Sequence, residues 1–147
     1  MAFGKGGSGM AGRYGDLGLL LIRLGIGGSV LVLHGWTKIT AGPALWAKLG
    51  AAMGHLGIHF LPVFWGFMAS LAESLGSTLL ILGVFFRPAA ACLAFNMFVA
   101  ALVHLNMPAG AANAGWSGAS HALELCAVYL GLFFIGPGKF SLAPRWK

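Results

Sequence analysis

Residues Phe60–Phe86, FLPVFWGFMASLAESLGSTLLILGVFF, form one long apolar run with a single carboxylate, Glu73, near its middle. A run of that length is what a hydrocarbon core of about 30 Å demands of a helix. A charged side chain at that depth costs about 3 kcal/mol on insertion scales. The chain has only three acidic residues among 147, and one of them stands where it is most expensive. The partner of Glu73 is therefore the central question this sequence poses.

The rest of the composition agrees with a membrane setting. Hydrophobic residues make up 59% and charged residues 8%, with a mean hydropathy of +0.86. A soluble domain of this size needs far more charged surface. The formal net charge of +6 fits retention of basic loops on the cytoplasmic side. No patch of interleaved basic and aromatic residues suggests nucleic-acid binding. Cys92 and Cys126 fall on different predicted spans at depths about 10 Å apart, too far for the roughly 7 Å Cα limit of a disulfide.

Taken in order, residues 1–16 read as a Gly-rich, weakly basic, flexible cytoplasmic tail rather than a signal peptide, because the apolar run that follows contains Arg23 and lacks a small-residue cleavage site. Four spans are predicted at about 17–39, 60–86, 89–106 and 119–135, within one membrane domain, 17–138, closed by a basic tail, 139–147. Between the first two, Leu45–Met53 has the pattern of a short amphipathic helix on the membrane surface with Trp46 as its anchor. Arg87-Pro88 makes a tight turn, and Gly136-Pro137-Gly138 stops the last span. Lys5, Arg13, Arg87, Lys139, Arg145 and Lys147 share one side, against Lys38 and Lys48 on the other. That asymmetry places both termini in the cytoplasm. The expected fold is all-α, an integral membrane four-helix bundle; the alternative is three spans plus a surface helix.

The polar residues inside the spans are the candidate site. A rise of 1.5 Å per residue puts Glu73 and Asn96 near the midplane, and His34, Lys38, His104, His121 and Glu124 within about 8 Å of the outer boundary. Arg23 lies in the cytoplasmic half, on the same face of the first helix as His34. Arg23 is the expected partner of Glu73, with Asn96 donating to the same carboxylate; a protonated, neutral Glu73 is the alternative. The pair reads equally as a register-fixing contact or as part of a proton or quinone site. Glu124 and the outer histidines have ligand chemistry, but their spacing matches no metal motif, and no suitably opposed pair for haem stands out.

Arg23-Leu24-x-x-Gly27, His34-Gly35-Trp36-x-Lys38, Ala72-Glu73-x-x-Gly76, Leu82-Gly83-x-Phe85-x-Arg87-Pro88-Ala89, Glu124 and the closing Gly136-Pro137-Gly138-Lys139-Phe140-Ser141-Leu142 together resemble the DoxX family of small four-helix membrane proteins. Ala143 departs from the acidic residue common there. The resemblance implies a multi-pass protein of a bacterial or archaeal cytoplasmic membrane, tied to redox metabolism. Some relatives are membrane subunits of thiosulfate:quinone oxidoreductase or associate with a terminal quinol oxidase. Two readings follow. In one, the chain is a subunit of a quinone-linked complex, with His34, Lys38, His104 and His121 contacting a quinone headgroup and Glu73, Arg23 or Glu124 handling protons. In the other, it is a structural or assembly subunit without catalysis. Either way the expected partners are the lipid bilayer and other membrane subunits or further copies of the chain. No motif for an electron-carrying cofactor is present, so electrons would come from a companion.

Overall fold

Apolar runs separated by Gly- and Pro-containing turns dictate helices, because in lipid every backbone group must be satisfied within its own segment. The computed structural model, which describes residues 10–142, is all-helical in its regular structure, with no strand among the described residues. Helix α1 runs over 10–40, as an α-helix Met10–Val30, a π turn Leu31–Gly35 and a last α turn Trp36–Thr40. Helix α2 comprises Pro43–Gly50 and a 3₁₀ extension, Ala51–Leu56. Helix α3 spans Pro62–Leu82 and is interrupted by a second π turn, Ala72–Gly76. Helices α4, Phe86–Leu105, and α5, Gly115–Ile135, complete the chain. Helices α1, α3, α4 and α5 are each long and apolar enough to cross a membrane.

Several boundaries differ from the sequence reading. The first helix already starts at Met10, so residues 10–16 of the expected tail are helical, and only 1–9 lie outside the described residues. Asp16 holds Lys139 through its backbone N–H at 3.0 Å and its ammonium at 3.2 Å. Residues 143–147 of the basic tail, Ala143 included, also lie outside the described residues. Helix α5 begins four residues earlier than expected, which places Glu124 nine residues into the helix, about 14 Å along its axis rather than within 8 Å of an end.

The core lies where α3, α4 and α5 meet. Leu80, Phe86, Leu93, Met97, Tyr129 and Leu132 are all buried there, with Leu19 and Ile26 of α1 against them. Helix α1 runs antiparallel to α3: a Cβ on Gly27 would meet Ile81, and one on Gly35 would sit 2.7 Å from the Glu73 carbonyl oxygen. By that register α3 continues about six residues, roughly 9 Å, beyond the end of α1. Helix α2 fills the space. It crosses α3 so closely that a Cβ on Gly66 would stand 1.8 Å from the Trp46 carbonyl oxygen.

Trp46 therefore does not act as a free-standing anchor. Its indole donates to the Lys38 carbonyl at 2.9 Å, and its ring meets Phe67 edge-on at 4.9 Å. Trp36 and Trp116, by contrast, are exposed.

The two π turns face each other across the Gly35–Glu73 contact. A π turn carries an i→i+5 bond and inserts one residue into the helical repeat, so everything beyond it is rotated relative to a straight helix. Arg23 and His34 consequently do not share a face: Arg23 is buried and His34 exposed. On α3 the Ser70, Ser74 and Thr78 hydroxyls donate to the carbonyls four residues before them, at 2.8–2.9 Å. Such back-bonding loosens and bends a helix, and here it flanks and overlaps the π turn.

Gly35→Ala tests this contact. The new methyl would press on the backbone at Glu73 and Ser74, and overpacking of this kind costs about 1–3 kcal/mol. The expected result is a thermal midpoint in detergent several degrees lower, with Lys38 displaced from Glu73.

Candidate functional site

The expected Arg23–Glu73 pair does not form. Arg23, 1% exposed, spends its guanidinium on carbonyl oxygens at the other end of the bundle. Nε donates to Leu80 at 2.9 Å, Nη1 to Pro137 at 2.8 Å and Phe140 at 2.6 Å, and Nη2 to Ile81 at 2.6 Å. The Phe86 ring lies beneath it at 5.7 Å. These carbonyls belong to the C-terminal end of α3 and to the segment after α5, where backbone acceptors lack i→i+4 helical partners; Leu80 also accepts from the Gly83 N–H at 3.2 Å. A planar five-donor fork suits such a cluster. Arg23 is thus a structural clamp binding α1, α3 and the Gly136–Leu142 strap, and Leu142 adds its own N–H bond to the Leu82 carbonyl at 2.9 Å.

Glu73 pairs instead with Lys38. The ammonium lies 2.7 Å from both carboxylate oxygens, with its hydrogen bond running to Oε1. Asn96 donates to the same oxygen at 2.9 Å, as the sequence reading expected. Glu73 is 3% exposed and the Lys38 side chain 27%, so the carboxylate is enclosed while the ammonium keeps an open side. Lys38 reaches this depth because α1 ends early and its π turn swings the last helical turn toward α3.

The triad forms part of the wall of a cavity of about 700 Å³ enclosed by α2, α3 and α4. Its surface is mostly apolar, with Met53, Met68, Leu79, Val99 and Val103 among the lining residues, and Lys48 also lines it. Phe64, Leu75 and Phe95 also line it and are themselves exposed, so it opens sideways between helices. Trp65 lines it too, and its indole N–H is buried with no acceptor among the described residues. His104 stands at one edge, with Nδ1 2.9 Å from the Asn113 carbonyl, which orients the ring.

Of the expected site residues, the structure brings together Lys38, Glu73 and Asn96 in this cavity, with His104 at its edge. It leaves His34, His121 and Glu124 exposed on outer faces, away from the cavity. Trp65 and Cys92 line the cavity without having been singled out as site residues; an aromatic or a small thiol in an apolar run carries no signal of its own. No group of three His, Cys, Asp or Glu side chains comes together among the described residues.

These features define a multi-pass α-helical membrane protein with a neutralised buried ion pair facing a lateral apolar cavity. A DoxX family model matches residues 18–106, the segment that carries most of α1, all of α2 to α4 and every residue of the triad. The chain belongs to the DoxX family, which groups it with membrane proteins of the redox-associated type. No curated protein and no solved structure matches the chain.

Proposed function

We propose that this chain is the membrane subunit of a redox complex and holds a quinone in the lateral cavity. The observation that carries this reading is the placement of Lys38, Glu73 and Asn96 together on the wall of a mostly apolar, side-opening cavity of about 700 Å³, which Lys48 and His104 also line. A site of that size with a few convergent polar groups suits a small apolar ligand.

The donors fit a carbonyl-bearing ring. Lys38 has a further N–H beyond those facing Glu73, Asn96 has a second one, and the Trp65 indole N–H has no acceptor among the described residues. Glu73 cancels the charge of Lys38, so the triad itself suits a neutral headgroup; Lys48 is the other cation lining the cavity. Glu73 acts as a positioning residue that holds two donors toward the cavity, while the apolar walls take an isoprenoid tail and exclude water. Bound quinone would supply a two-electron, two-proton carrier, with electrons delivered by a companion subunit.

Arg13, Arg87 and Lys139 cluster at the end where α1 begins, α3 meets α4 and the strap closes, since Asp16 contacts Lys139 and Leu142 contacts Leu82. That charge bias supports a cytoplasmic location for this end and for both termini, in a bacterial or archaeal inner membrane.

The test is purification in nanodiscs, with extraction of bound quinone and titration with a short-tailed quinone followed by tryptophan quenching. Wild type is expected to carry and bind quinone, and Asn96→Leu to bind about tenfold more weakly, in line with the loss of one good hydrogen bond. Companion subunits without quinone, and no quenching, would overturn the reading in favour of a scaffold role.

A further inference from the structure

The cavity leaves one in-membrane carboxylate unexplained. Glu124 stands near the middle of α5 and is exposed, and the hydrogen bonds and ion pairs of the described residues leave it out. A carboxylate facing lipid at that depth is costly, and intramembrane ionisable groups pair with one another. The same outer face carries His121 one turn earlier, also exposed. Along the same side run Ser117, Ser120, Ala127 and Gly131, the last with nothing within 4 Å of where a Cβ would stand. Small residues interspersed with hydrogen-bonding groups are the composition of a helix–helix contact in lipid, not of a lipid-facing surface.

We propose that this face of α5 is a dimer seam, joining two copies of the chain about a twofold axis along the membrane normal. Such an axis sets the two α5 helices parallel at equal depth. Glu124 of each copy then meets the partner's His121, offset by three residues or about 4.5 Å, well within side-chain reach. The face bears an acid and its complementary base, so it is complementary to itself, as an isologous contact requires. A different membrane protein would have to supply its own matching pair. The seam lies apart from the cavity and stands or falls independently of what the cavity binds.

Two experiments test it on the full chain. In a Cys92→Ala, Cys126→Ala background, Ala127→Cys is expected to cross-link to a dimer on mild oxidation in native membranes, while Leu21→Cys, on an exposed face of α1, stays monomeric. In nanodiscs or detergent, Glu124→His or His121→Glu alone is expected to weaken self-association about tenfold. The double swap, which restores acid opposite base, is expected to recover it to within threefold. A wild type that stays monomeric, an Ala127→Cys adduct with a different protein instead of a second copy, or a swap no better than its single variants would each overturn the proposal. The cross-link needs no change of charge, so it decides the matter even where a charge variant fails to accumulate.

Discussion

Replacing Arg23 by methionine is expected to strip most of the protein from the membrane and to destabilise what remains by at least ~3 kcal/mol, because it orphans carbonyls that a charged donor holds. Arg23→Met keeps much of the side-chain length and removes the donors to Leu80, Ile81, Pro137 and Phe140. The C-terminal strap then loses its main attachment, leaving the Asp16–Lys139 contact and the Leu142 bond. Arg23→Lys should rescue only part of the loss, since a single ammonium cannot match a fork that reaches carbonyls on two segments. Limited proteolysis of the strap, with abundance measured in membranes, reads both effects. Because Arg23 and Glu73 share no partner, Arg23→Met and Glu73→Gln should be additive to within about 0.5 kcal/mol. A direct Arg23–Glu73 pair would instead make the double variant milder than Arg23→Met alone.

The second large effect belongs to the triad. Lys38→Met leaves the enclosed carboxylate of Glu73 with Asn96 alone, and breaking a buried pair from one side typically costs about 3–5 kcal/mol. Lys38 keeps an open side, so the lower end, about 3 kcal/mol, is expected. Lys38→Met combined with Glu73→Gln removes both charges and should recover about 2 kcal/mol of that loss, a non-additivity that a double-mutant cycle in detergent measures. Quinone content separates structure from binding. The double variant should be abundant in the membrane yet hold little quinone, because one of the three donors facing the cavity is gone and a second, Asn96, has lost its orienting charge. Retention of quinone at wild-type level by that variant would remove the triad from the binding site.

The two variants bear on different ends of the bundle, and that separation was not legible in the chain. A straight helical ruler places Arg23 closer to Glu73 than any other long cation and leaves Lys38 near the surface. Three features defeat the ruler. The π turns at Leu31–Gly35 and Ala72–Gly76 change the phase of both helices. Helix α2 lets α1 stop short of the outer end of α3. The carbonyl cluster after α5 competes for the guanidinium, and backbone acceptors at a helix end are invisible in a residue pattern. The motif glycines are a partial exception: Gly35 stands where α1 touches the Glu73 backbone, so the spacing of the motif already encoded the close approach without saying what it served.

What the sequence determined by itself was the class: apolar runs long enough for lipid, interrupted by Gly and Pro, can satisfy their backbones only as helices, and a carboxylate within one must have a partner. The motif order was also enough to resemble the DoxX family, which the match over 18–106 bears out. Which cation meets that carboxylate, and whether Glu124 faces inward or outward, depended on helix phase, register and end-to-end length. Those quantities are set by packing between segments distant in the chain, where a shift of a single residue turns a side chain by about 100°, and only the tertiary structure decided them.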